Sequence, residues 1–136
     1  MTSRNEIEET IRLAYAARVR GDIDAVLAYF TPDATFEFNG RGTGVRTLAE
    51  AARGADLFRA TLQSFIDTFK LDDWKEVSLL VDGDKASLHW RARVTHAGTK
   101  KAETFDVFDL MTLRDGKISS LRQSTDTALV ILISAP

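Results

Sequence analysis

The side chain with the strongest claim to chemistry in this sequence is Asp109. It falls in TFDVFDLMTL, where strand alternation places it on one face with Phe105, Val107, Met111 and Leu113. An ionised carboxylate on an apolar face is costly to bury. Two readings follow. Asp109 is an acid of raised pKa that donates a hydrogen bond to a ligand oxygen, or it is a structural aspartate bonded to Tyr15, Gln123 or a backbone amide. Tyr15 lies on the apolar side of the first helical segment, and a buried tyrosine hydroxyl needs a partner, in a pocket or at its rim. His89, Arg91 and Arg93 alternate together, opposite Trp90. They read as an outer sheet face, solvated or packed on a second subunit, rather than as an inward anion-binding cluster. Asp106 is placed to pair with one of these arginines across the ladder. His96 sits at a hairpin tip, where solvent is expected to reach it. The sequence has no cysteine and two histidines, which excludes thiolate chemistry and leaves too few histidines for a His-based metal cluster. Neither a metal nor a cofactor is expected.

Positioning these groups requires helices first and strands second. Ser3 followed three residues later by Glu6 is a capping-box signature. Ile7, Ile11, Ala14, Tyr15 and Val19 then recur at helical spacing. Gly21 ends that helix. Asp22 caps a short second one with Ile23, Val26, Leu27 and Phe30 as its apolar side. Thr31-Pro32-Asp33 reads as a turn, and 34–38 as a strand with Phe36 and Phe38 facing one way and Thr35 and Glu37 the other. A glycine-rich loop, 39–44, carries Asn39 and Arg41 and suits a mouth to a pocket; Arg46 reads equally as surface. A further helical stretch is interrupted near Gly54. Its second piece, 55–70, stripes Leu57, Phe58, Leu62, Phe65, Ile66 and Phe69, a face suited to packing on a sheet.

The period changes from Trp74. A strand over 77–81, an Asp82-Gly83-Asp84 turn, and alternating strands over 85–95, 101–113 and 117–127 follow, with turns at Ala97-Gly98 and Asp115-Gly116. The turns are too short for crossover helices, which predicts an antiparallel sheet. Hairpin alignment sets Gln123 and Thr125 beside Asp109 as polar pocket candidates. The apolar tail, 128–133, is either a last strand or a segment covered by the protein's own surface or a partner's.

At 136 residues, with 44% hydrophobic and 28% charged residues, the chain is expected to form one α+β domain over 1–136. The formal net charge of −2 carries no footprint for nucleic acid and no polybasic membrane anchor. No leader-like apolar core opens the chain and no run of about 18 apolar residues occurs, so a cytoplasmic location is the expectation.

Three stretches, GDIDAVLAYFTPDATFEF, VDGDKASLHWRARV and FDVFDLMTLRDGKISSLRQ, resemble the SnoaL-like polyketide cyclase and ketosteroid isomerase branch of the nuclear transport factor 2-like superfamily. The resemblance implies a cone: a strongly curved antiparallel sheet wrapped around N-terminal helices, with a pocket between them. It also implies a homodimer through the sheet's outer face. In the ketosteroid isomerases of that branch a tyrosine and a protonated aspartic acid form an oxyanion hole, and a second aspartate moves the proton. Asp109 matches the oxyanion-hole aspartate, with Val107 and Met111 as its pocket neighbours. The tyrosine position falls on Ala14, one before Tyr15. The base position falls on Phe38, which cannot take a proton. Ketosteroid isomerisation itself is therefore not expected. Within such a cone, Phe38 and Trp90 become apolar ligand contacts.

The expected partner is a small apolar molecule. The first reading is an enzyme acting on its carbonyl or enol oxygen, by isomerisation, cyclisation or dehydration, with Asp109 and Tyr15 as donors. The second is a non-catalytic binding domain using the same pocket. The third is a dimeric interaction module with a vestigial cavity.

Overall fold

A computed structural model describes residues 2–39 and 55–136. The expected mouth loop with Arg41, the position of Arg46 and the break near Gly54 lie outside the described residues.

Helix α1 (Arg4–Arg20) begins where Ser3 and Glu6 satisfy each other's backbone amides, at 3.2 and 3.4 Å. Ser3→Ala is expected to cost about 1 kcal/mol, measured as a drop in the denaturation midpoint with an unchanged slope. The helix buries Ile7, Ile11, Ala14, Tyr15 and Ala17. Val19, expected on this face, is 39% exposed, because the buried arc turns through Ala14 and Ala17 instead. Gly21, at φ 75°, closes the helix in the left-handed conformation. Asp22 then caps α2 (Ile23–Leu27) by accepting from the Ala25 amide at 3.2 Å.

Strand β1 (Phe30–Phe38) starts earlier than its residues suggest: Thr31-Pro32-Asp33 is not a turn but part of the strand. β1 is an edge strand, so the missing amide of Pro32 breaks no ladder that matters, and the register slips between Phe30 and Thr35 to accommodate it. Helix α3 (Ala55–Thr68) buries Phe58, Leu62, Phe65 and Ile66, while Leu57 is 54% exposed. It stops at Thr68, and Phe69 opens β2 (Phe69–Asp82), eight residues before the expected strand. The charges of Lys70, Asp72, Asp73, Lys75 and Glu76 hide that strand's alternation. Asp73, at φ 53°, marks the irregularity where its register with β3 shifts. β2 is the other edge, where charge discourages pairing with further strands.

β3 (Lys85–His96), β4 (Ala102–Arg114) and β5 (Lys117–Ser124) follow through tight turns. Ala86, Leu88, Trp90, Ala92 and Val94 are buried as expected. The curved sheet has the order β1-β5-β4-β3-β2. β2 to β5 run antiparallel, whereas β1 pairs with β5 in parallel, so the complete sheet is mixed. Strands joined by turns are antiparallel as expected; β1 is separated from β5 in sequence by a helix and three strands, and no hairpin constrains its direction.

The strand expected to reach Thr127 ends at Ser124. Asp126 accepts from the amides of Ala128 and Leu129 at 3.0 and 3.2 Å and starts helix α4 (Thr127–Ser134). The apolar tail is thus covered by the protein's own surface on one side, with Val130 and Ile133 buried. The helices bury one side of the sheet. On the other, Arg91 lies in register with Asp106 and binds it at 2.9 Å, with His89 at 2.7 Å from the same oxygen. No helix among the described residues is long and apolar enough to cross a membrane.

Candidate functional site

Asp109 sits at the middle of β4, between Leu88 on β3 and Gln123 on β5. Alternation turns it to the helix-covered side, and only 1% of it is exposed. The Tyr15 hydroxyl donates to its Oδ2, and Trp90 Nε1 donates to the same oxygen at 2.8 Å. Oδ1 has no hydrogen-bond partner among the described residues. Burial pushes the carboxyl pKa up to about 8; the Gln123 side chain across the ladder pulls it down, without completing a hydrogen bond to Oδ1.

Aromatic rings close the surroundings. Tyr15 stacks on Trp74 with centroids 5.5 Å apart and lies 5.8 Å from Trp90. The two indoles are 6.2 Å apart. α1 supplies the tyrosine, the irregular stretch of β2 one tryptophan, and β3 the other. Trp74 Nε1 is also buried without a partner among the described residues.

Beside this cluster are two hollows that share Arg18, Phe65, Trp90 and Gln123 as wall. The first holds about 60 Å³ of free space and is lined further by Tyr15, Phe36 and Met111. The second holds about 50 Å³ and is lined further by Phe38, Val107 and Thr125. Seven of the eight residues singled out by sequence therefore meet one or both hollows. Asp109 is the exception: it stands behind Tyr15 and Trp90 rather than in the wall. Tyr15 reaches the site from its own position, with no slip of the helix toward Ala14. Phe38 is buried and offers the second hollow an aromatic ring. The Thr125 hydroxyl is committed to the Asp106 carbonyl at 2.7 Å, and Asn39 holds the Thr125 backbone through paired 3.2 Å bonds.

His89, Arg91 and Arg93 stay off the site, as their alternation implies. His96 is not simply solvated: its Nδ1 accepts from the amides of Gly98 and Thr99 at 3.1 Å, and its ring meets Phe69 edge-on. The site residue that sequence reasoning missed is Arg18. Its spacing from Ile7, Ile11, Ala14 and Tyr15 is the helical signal that places it, but its charge argued for solvent.

The SnoaL-like domain profile matches residues 11–121, and the chain belongs to that family. No curated protein matches the sequence. An NTF2-like protein of unknown function from Burkholderia pseudomallei is similar over 99% of this chain and 100% of its own, with TM-score 0.84 and 22% identity. TerC, co-crystallised with polyporic acid, is similar over 94% and 97%, with TM-score 0.79 and 20% identity. A hypothetical protein of ketosteroid isomerase-like fold from Catenulispora acidiphila, in complex with trimethylamine, is similar over 93% and 92%, with TM-score 0.75 and 13% identity. At these identities the likeness is one of fold.

Proposed function

We propose that this protein binds a small, largely apolar molecule through a carbonyl or enol oxygen, and that Tyr15 and Asp109 together handle the proton at that oxygen. One observation carries the reading: Tyr15, a wall residue, is hydrogen-bonded to a carboxyl that burial keeps protonated at neutral pH. With Oδ2 already accepting from two donors, the carboxyl proton belongs on Oδ1. When a ligand oxygen approaches Tyr15, the hydroxyl turns its proton to the ligand, and the carboxyl proton shifts to Oδ2, from which it is donated to the Tyr15 oxygen while Oδ2 keeps its hydrogen bond from Trp90. The relay supplies a neutral donor, suited to an oxygen on which negative charge develops.

No carboxylate stands in either wall among the described residues, and Phe38 cannot abstract a proton. The chemistry this arrangement favours is therefore enolisation of a substrate with an already acidic C–H, within an isomerisation, cyclisation or dehydration. The absence of a base in the walls also favours a second reading, a domain that binds such a molecule without turning it over. The co-crystallisation of TerC with polyporic acid supports small-molecule binding by this fold. A homodimer through the outer sheet face is part of the same proposal; it is supported by Leu80, Phe108 and Leu110, which stay 67%, 51% and 59% exposed.

Two probes separate the readings. Titration with 2-naphthol, followed by tryptophan fluorescence, should show saturable binding that Tyr15→Phe weakens about tenfold, the loss of one strong hydrogen bond. No binding to the unaltered protein would refute the proposal. Deuterium uptake from heavy water into 2-tetralone should be accelerated by the protein and not by Asp109→Asn. Binding without acceleration would leave the non-catalytic reading standing.

A further inference from the structure

We propose that Arg18 is an anion receptor and that the molecule held in the two hollows carries an acidic oxygen, a carboxylate or an enolate, on its apolar body. The inference rests on the small-molecule reading above and narrows its substrate class.

Arg18 lies in the last turn of α1 and is a wall residue of both hollows. It is the only cation in either wall among the described residues. Its Nη2 donates to the carbonyls of Phe65 and Phe69, at 3.3 and 3.1 Å. Those carbonyls belong to the end of α3 and the residue after it, where oxygens lack partners within the helix and the helix dipole favours a cation. This anchors the guanidinium by one nitrogen and fixes its plane. It leaves Nε and both protons of Nη1 without a hydrogen bond among the described residues. A guanidinium has five N–H groups and stays charged; burial lowers the pKa of this one to about 10, still well above neutrality.

Among the described residues Arg18 has no counter-charge. Other arginines of the chain have one: Arg12 pairs with Glu76, Arg59 with Asp24, Arg91 with Asp106 and Arg114 with Asp33. No carboxylate among the described residues comes within ion-pair distance of Arg18. Asp109 is nearby in the fold but neutral, and it is already engaged by Tyr15 and Trp90. A cation withdrawn from water, anchored by carbonyls and set in walls that are otherwise aromatic and aliphatic apart from the neutral Gln123 and Thr125 selects an anion with an apolar body. If anchoring α3 were its whole role, a single amide donor would suffice. The two hollows flank Arg18, so a ligand can present its acidic oxygen there and set its apolar part against Phe65, Phe36 or Phe38.

The test compares 2-naphthoate with 2-naphthamide, equal in shape and different in charge, alongside neutral 2-naphthol, all by tryptophan fluorescence. The full chain should bind the carboxylate at least about tenfold more tightly than the amide, the worth of a charge-assisted hydrogen bond. In Arg18→Gln, which removes the charge and keeps a neutral amide, the preference should vanish with amide affinity unchanged. Arg18→Lys should retain part of it. Equal affinities of the unaltered protein for carboxylate and amide would overturn the assignment, whether or not Arg18→Gln folds. So would an equal loss of both ligands in Arg18→Gln with native circular dichroism, which marks a packing role. If the neutral naphthol and amide bind and the carboxylate shows no advantage, the pocket reading survives and the role of Arg18 fails. If none of the three binds, both fail.

Discussion

Asp109→Asn is expected to remove a pH dependence of stability rather than to unfold the protein. The amide oxygen of asparagine can accept from Tyr15 and Trp90 as Oδ2 does, and its NH₂ replaces the protonated Oδ1. In the unaltered protein, burial raises the Asp109 pKa from 3.8 to about 8. Between those values the folded state holds a proton that the unfolded state has released. Stability therefore falls as pH rises through this window, by up to about 1.4 kcal/mol per pH unit, and levels off above the folded pKa. Paired carboxylates act with the opposite sign at the acid end: Glu76, bonded to Arg12, Asp106, bonded to His89, and Asp33, bonded to Arg114, have lowered pKa values, and what they contribute is lost as pH falls through those values. The difference between the two proteins cancels those groups. Thermal melts should show near-equal stability at about pH 4 and a growing advantage for Asp109→Asn up to about pH 8, the two ends of the linkage window. Parallel curves would mean that Asp109 ionises like an ordinary aspartate. The same proton governs function in the proposed relay, so 2-naphthol binding by the unaltered protein should weaken as pH passes the folded pKa of about 8.

Phe36→Ala is expected to cost about 3–5 kcal/mol, the range for truncating a buried aromatic ring. Phe36 is 2% exposed on β1 and meets Phe58 and Phe65 of α3 edge-on, with centroids 6.5 and 5.2 Å apart. It also walls the first hollow. Its ring ties the edge strand to α3, and removal would merge the hollow with a new void that those neighbours cannot fill. Urea unfolding should show a lowered midpoint with an unchanged slope. A loss below about 1 kcal/mol would mean that the site collapses around the gap and that the hollow is not rigidly walled.

Asp109 illustrates both how far the sequence reaches and where it stops. Alternation along β4 is a local property, and it placed the carboxyl on the buried face with Phe105, Val107 and Met111. Position behind a wall rather than in it depends on which side chains cross over from α1 and β3. Tyr15 and Trp90 interpose themselves there, and no local pattern encodes that. Arg18 shows the same limit in reverse. Helical spacing put it on the buried face, but a charge there makes sense only when the end of α3, distant in sequence, offers carbonyls to hold it.

Short-range chemistry determined the capping box at Ser3, the left-handed stop at Gly21, the hairpin turns and the inward face of β3. Each rests on interactions between residues a few positions apart. Tertiary structure alone decided that β1 lies parallel to β5, that the charged stretch of β2 is a strand, that the tail from Thr127 is a helix, and that an arginine meets the hollows. Those outcomes depend on partners remote in the chain, whose hydrogen bonds and buried surface outweigh local preference. By itself the sequence determined a helix-then-hairpin domain with one carboxyl turned inward. The assembled fold decided that this carboxyl is held by a tyrosine and an indole, beside an arginine anchored on the carbonyls of Phe65 and Phe69.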